Sequence, residues 1–179
     1  FLRWVHFVLI RRIDKIILLS QSFKNELVSA GIPENKIFVL YNFHSINYKL
    51  ASHITTSNSY LNLLFIGSIS RRKGFHDLLT ALSNLKSNYY LQVLGDFPSF
   101  EMQKYCEDFI SNYKLNVNFL GYLTGIDKEN IIRNSDVLIL PSYGEGFPMV
   151  IPEAMALGCT VISTNIAGIP EIVEDGLNG

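Results

Sequence analysis

From Leu61 onward the chain alternates between two hydrophobic rhythms. Leu61 to Gly67 is a short apolar run closed by glycine, the mark of a buried strand. Phe75, Leu78, Leu79, Leu82 and Leu85 then recur at helical spacing. Tyr89 to Gly95 reads as the next strand. After it, Met102, Tyr105, Cys106, Phe109, Ile110 and Tyr113 outline one apolar helix face. The same alternation predicts strands at Val117–Gly121, Asp136–Pro141 and Cys159–Ser163. Between and after them it predicts helices at Asp127–Asn134, Pro148–Leu157 and, opening on Pro170, to Glu174. Pro152 is awkward for a helix begun at Pro148, because it removes one ladder bond, so a kink or a later start is expected.

Strands that alternate with helices imply right-handed crossovers and a parallel sheet. Near-continuous apolar strands are what a sheet covered on both faces requires. Residues 61–179 therefore read as a doubly wound, Rossmann-like α/β domain, with a further strand expected after Gly179. Residues 1–43 form a different piece: a helix over Phe1–Arg12, a strand at Ile16–Leu19, a helix capped by Ser20, and a strand at Ile37–Leu40. Two strands and two helices close no core of their own, so this piece is expected to belong to a neighbouring domain. Residues 44–60, rich in Ser, Thr, Asn and His, read as the linker. The chain starts at Phe1 inside a hydrophobic stretch and reads as a piece of something longer, incomplete at both ends.

Composition narrows the function classes. Among 179 residues, 15 Lys+Arg against 16 Asp+Glu leave a formal charge of −1, with no basic face for nucleic acid. An apolar fraction of 48% excludes a disordered chain. No apolar run reaches the roughly 18–20 residues of a membrane span, and charges interrupt the hydrophobic start where a signal peptide would need continuity. Cys106 and Cys159 offer no disulfide framework and suit a reducing, cytoplasmic compartment. The four histidines show no ligand spacing, so no metal site is expected.

In doubly wound sheets, ligands bind beyond the carboxyl ends of the strands where the strand order reverses. With the common order 3-2-1-4-5, the loops at that point are Gly67–Gly74 and Ser142–Pro148. The first places Arg71, Arg72 and Lys73 at the start of a helix, where cations oppose the dipole. A phosphate or diphosphate would satisfy both the cations and the helix amides, and a solvated basic turn is the alternative. The second loop brackets Glu145 with Gly144 and Gly146. Eight residues on, Glu153 is the one charge in the apolar run Phe147–Cys159. A buried carboxylate needs donors. A vicinal ribose diol supplies two side by side, and an internal bond to a backbone amide or to Lys73 is the equal alternative.

Together these loops resemble the donor-binding segment of the retaining glycosyltransferases of family 4, the group 1 transferases of GT-B fold. "EGFPMVIPEAMALGCTVISTNIAG" carries the Glu, seven residues, Glu spacing of that family. "GSISRRKGFHDLLTAL" resembles its diphosphate loop and "NSDVLILPS" its fourth strand. "IDKIILLSQSFKNELVSAGIPENKIFVLYN" is similar to the end of the family's N-terminal domain. The resemblance implies that residues 61–179 form the donor-binding domain and 1–43 the end of an acceptor-side domain.

It also implies roles. Lys73 would bind the diphosphate of a nucleotide-sugar, beside Gly67, Ser68 and Arg72. Glu153 would hold the ribose hydroxyls, and Tyr122 and Leu123 lie where the family places the base. Glu145, with the amides of Gly146, Phe147 and Pro148, would contact the sugar and diphosphate, so that Lys73 and Glu145 are the catalytic candidates. Ser68 stands where the family usually has arginine, leaving Arg71 or Arg72 to replace it. The implied reaction is hexosyl transfer with retention from a nucleotide-sugar to a sugar or lipid-linked acceptor, in polysaccharide or glycoconjugate synthesis. No obligatory metal or other cofactor is implied. Peripheral association with the inner face of a membrane, through the rest of the N-terminal domain, is compatible with it. A GT-B nucleotide-sugar epimerase, or an inactive nucleotide-binding fragment, are the competing readings.

Overall fold

The computed structural model describes residues 10, 12–43 and 60–179. The helix expected over Phe1–Arg12 and the linker expected over 44–60 lie almost wholly outside the described residues. The N-terminal piece is built as its pattern predicts. Strand β1 (Ile16–Leu18) pairs in parallel with β2 (Ile37–Val39), and helix α1 (Gln21–Ser29) connects them. Ser20 caps α1 by accepting a hydrogen bond from the Phe23 amide at 3.3 Å.

The larger sheet contains β3 (Leu61–Ile66), β4 (Tyr89–Leu94), β5 (Val117–Gly121), β6 (Val137–Leu140) and β7 (Thr160–Ser163). All pairings are parallel, in the order β5-β4-β3-β6-β7, so the strand order reverses between β3 and β6 as expected. Helices α2 (Phe75–Asn84), α3 (Phe100–Tyr113), α4 (Gly125–Arg133) and α5 (Val150–Ala156) make the crossovers. Alternation along each strand divides the core in two. Leu63, Phe65, Leu91 and Val93 pack with Phe75, Leu78, Leu79 and Leu82 of α2 and Cys106 of α3. Leu64, Leu94, Leu138 and Leu140 pack on the other face with Ile132 of α4 and Ile151 and Ala154 of α5. Edge-to-face contact of Phe65 with Phe75, centroids 4.9 Å apart, ties the first strand to the first helix.

Three helix boundaries differ from the sequence reading. Helix α4 begins at Gly125 rather than Asp127. Helix α5 begins at Val150, two residues later than Pro148. Pro152 then falls in the first turn, among amides that have no intrahelical partner anyway, and the Pro148 carbonyl accepts from Ile151 instead. The helix expected at Pro170–Glu174 is only a 3-10 turn, Ile169–Glu171. There the Asn178 side chain accepts from the Glu174 amide at 2.7 Å and donates to the Ile172 carbonyl at 3.1 Å, offering the backbone partners outside a helix.

Both cysteines are buried, at 0% and 3% exposure. Burial pushes the Cys106 thiol up to about 11 and that of Cys159 up to about 12. At pH 8 both are therefore thiols with no access to reagent. Neither is expected to react with iodoacetamide in the folded chain, and both should react once guanidinium unfolds it. Rapid labelling of the native chain, read by mass spectrometry, would contradict this packing.

Candidate functional site

The two loops flanking the reversal point are knitted together. Gly74 adopts a φ of +68°, and a β-carbon there would stand 1.9 Å from the Pro141 carbonyl oxygen. That approach lets the Tyr143 amide donate to the Arg72 carbonyl at 2.9 Å and the Arg72 guanidinium donate to the Gly144 carbonyl at 2.5 Å. Gly95 meets the first loop in the same way, its absent β-carbon lying 2.0 Å from the Gly67 carbonyl oxygen. The carboxyl ends of β3, β4 and β6 are thus held at backbone contact.

Lys73 ends the 3-10 turn Arg71–Lys73 and turns back over Gly67. Its ammonium pairs with Glu145 Oε1 at 2.6 Å, and the same oxygen accepts from Ser142 Oγ at 2.6 Å. Both side chains are largely buried, 16% and 7% exposed. The Ser142 carbonyl in turn accepts from Thr164 Oγ1 at 2.6 Å, so β7 braces the loop. One of the three cations in the first loop is therefore balanced internally, and the two loops keep a surplus of two positive charges. Such a surplus, next to loop amides, suits a dianion.

Beside this pair a cleft of about 470 Å³ opens past the ends of β3, β4 and β5. Gly67, Ser68, Tyr122 and Leu123 line it, together with Asp96, Phe97, Thr124, Gly125 and Lys128. Tyr122 is 75% exposed, leaving its ring available for stacking. A groove of about 590 Å³ at the opposite, amino ends of the strands is lined by Tyr60, Tyr89, Lys114 and neighbours. It is far from the reversal point, where ligands of such sheets bind.

Glu153 does find a charged donor, but not Lys73. Its Oε2 pairs with the Lys128 ammonium of α4 at 2.5 Å, the two side chains being 19% and 24% exposed. Neither Lys73 nor Glu153 lines the cleft itself: Lys73 lies along Gly67, and Glu153 is paired with Lys128, and those two partners are lining residues. Gly146 faces open space, since a β-carbon there would meet nothing within 4 Å. Phe147 instead turns toward the N-terminal piece, its ring 5.6 Å from that of Tyr41. Pro148 is buried and has no N–H, so it shapes the loop but cannot donate to a ligand as the neighbouring amides can.

A second junction was not foreseen from the sequence. The Glu171 carboxylate accepts from the Gln21 and Ser22 amides at 2.8 and 2.9 Å and from the Tyr41 hydroxyl at 2.9 Å. Burial opposes its charge, yet these donors outweigh it and hold the carboxyl below the usual glutamate range. Gly168 packs directly on Ser20, with a β-carbon position only 3.0 Å from that of Ser20. The loop bearing Gly146 and Phe147 is thereby fastened to the start of α1.

Comparison with known proteins agrees with this architecture. The family model of glycosyl transferases group 1 matches residues 51–179. An uncharacterised glycosyltransferase of Methanocaldococcus jannaschii is 30% identical over 185 residues, 92% of this chain and 46% of its own length. The apo structure of the lipopolysaccharide outer core galactosyltransferase WaaB superposes with a TM-score of 0.78 at 26% identity, over 93% of this chain and 47% of that one. HepE of Anabaena in complex with UDP-glucose gives 0.79 at 25% identity, over 98% and 51%. The chain spans about half the length of the curated relatives it matches. Its five-stranded parallel sheet is that of the Rossmann-like domains of GT-B glycosyltransferases. By the extent of that family match, the chain belongs to the glycosyl transferases group 1.

Proposed function

We propose that this chain is the donor-binding part of a retaining family 4 glycosyltransferase. The full protein would transfer a hexose from a nucleoside diphosphate sugar to a sugar or lipid-linked acceptor, without an obligatory metal. Residues 61–179 would form the donor domain, 44–60 the interdomain linker, and 1–43 the end of the acceptor-side domain. The observation that carries this reading is the cleft past the carboxyl ends of β3, β4 and β5, whose lining residues Gly67 and Lys128 contact Lys73 and Glu153 respectively. The UDP-glucose bound by HepE supports a nucleotide-sugar as the ligand. The lipopolysaccharide named for WaaB supports a glycoconjugate pathway.

In this reading the base lies by Tyr122 and Leu123, the ribose near Glu153, and the diphosphate between Gly67, Ser68, Arg72 and Lys73. As the glycosidic C–O bond breaks, negative charge grows on the departing diphosphate while the anomeric carbon becomes positive. Lys73, Arg72 and the amides of Gly146 and Phe147 would stabilise the diphosphate, a preorganised electrostatic contribution. Glu145 holds Lys73 in place and lies on the sugar side. Closure of the acceptor half would complete the site, so the 179-residue chain is expected to bind donor without turning it over.

Calorimetric titration with UDP-glucose, UDP and inorganic diphosphate tests the reading. Glu153→Ala is expected to lower affinity for UDP by about tenfold, the worth of a hydrogen bond to a charged group, while sparing inorganic diphosphate. Equal loss of both ligands would make Glu153 a structural residue, and no binding of any of them by the unmodified chain would remove the proposal.

A further inference from the structure

We propose that Lys128 is a positioning and specificity residue of the donor cleft, forming with Glu153 a donor–acceptor couple that reads the ribose diol. The inference rests on the donor-binding reading and adds a residue to it. Among the described residues lining the cleft, Lys128 is the one cation and Asp96 the one acid. Glu153 is not among those lining residues, so a ligand in the cleft meets the lysine of the pair first.

The chemistry of a diol matches such a couple better than it matches a bare carboxylate. Each hydroxyl has one hydrogen to donate and lone pairs to accept. A carboxylate uses only the hydrogens. An ammonium carries three N–H groups, and the Glu153 contact at 2.5 Å engages one of them. The other two are available to accepting oxygens, while Glu153 Oε1 is available to a donating hydroxyl. A vicinal diol placed at the couple therefore donates to Glu153 and accepts from Lys128 through two adjacent hydroxyls, of which a 2′-deoxyribose keeps one and an apolar group none.

A plain helix tie between α4 and α5 is the competing account of this pair. A partly exposed ion pair of that kind contributes about 0–1 kcal/mol and carries no ligand preference. The location argues for more. Helix α4 starts at the cleft rim, directly after Tyr122, Leu123 and Thr124, and Lys128 lies in its first turn. Glu153 meanwhile lies in an apolar stretch of α5 with no other cation close in sequence.

The decisive measurement compares UDP with 2′-deoxy-UDP by calorimetry on the unmodified chain and on Lys128→Met and Lys128→Arg. The unmodified chain should prefer UDP by about tenfold, the discrimination expected of a hydrogen bond to a charged group. Lys128→Met should lose most of that preference by weakening UDP binding, with 2′-deoxy-UDP affinity changed less than about twofold. Lys128→Arg should restore most of it. Should Lys128→Met fail to fold, as its thermal transition would reveal, Lys128→Gln takes its place in the same comparison. A neutral variant that keeps the full preference overturns the proposal, as does one that binds UDP more tightly, since Lys128 would then be a competitor displaced by the nucleotide. Failure of the unmodified chain to bind either nucleotide is a separate result that removes the donor-binding reading itself.

Discussion

Gly74→Ala is expected to destabilise the chain by roughly 3–4 kcal/mol, beyond the usual range for one substitution. Two costs combine. A non-glycine residue in the left-handed region loses about 1–2 kcal/mol, and here the φ is +68°. The new methyl would also stand 1.9 Å from the Pro141 carbonyl oxygen, so the loops after β3 and β6 must separate. Separation strains the Tyr143–Arg72 backbone bond and the Arg72–Gly144 contact together. Gly146→Ala supplies the contrast, because its methyl meets nothing within 4 Å. It should change stability by less than about 0.5 kcal/mol while weakening diphosphate binding. Urea unfolding of the two variants measures the difference, and similar losses at both positions would remove the close-approach explanation.

The fold was legible because its information is local. Leu61–Ile66, Tyr89–Leu94 and Val137–Leu140 are apolar on both faces, as a doubly covered sheet demands, and their strand boundaries agree within a residue or two. The reversal between β3 and β6 follows from the crossover pattern and the common strand order. Pro152 implied a kink or a later start for α5, and of the two it is the later start that is found. What misled was Pro170 with Glu171, a sound opening for a helix that Asn178 then undoes through side-chain bonds.

The site was legible in its loops and not in its pairings. Arg71, Arg72, Lys73, Glu145 and Glu153 stood out as charges without a local reason, and the structure brings the first four to adjoining loops. Which cation meets which carboxylate depends on approaches spanning 72 and 25 residues of sequence. No spacing rule encodes those. The apolar setting of Glu153 calls for a donor, and that donor is Lys128, one of several polar residues on a short helix. A usable signal did exist: in doubly wound sheets the first turn after a strand's carboxyl end faces the ligand, and Lys128 lies there. Glu171 gave no comparable sign, since its partners, Gln21, Ser22 and Tyr41, belong to another part of the chain.

Lys73→Met is expected to cost roughly 2–3 kcal/mol in stability, because it leaves the Glu145 carboxylate buried with one donor removed. Ser142 still donates to the same oxygen, which keeps the loss below that of a fully orphaned charge. Adding Glu145→Gln removes the uncompensated charge, and the double variant should recover to within about 1 kcal/mol of the unmodified chain. Diphosphate binding separates the two roles of the lysine. If Lys73 touches the ligand, affinity stays lost in the double variant although stability has returned. If it serves only to neutralise Glu145 and hold the loop, binding returns along with stability, and the surplus charge of Arg71 and Arg72 is what grips the anion.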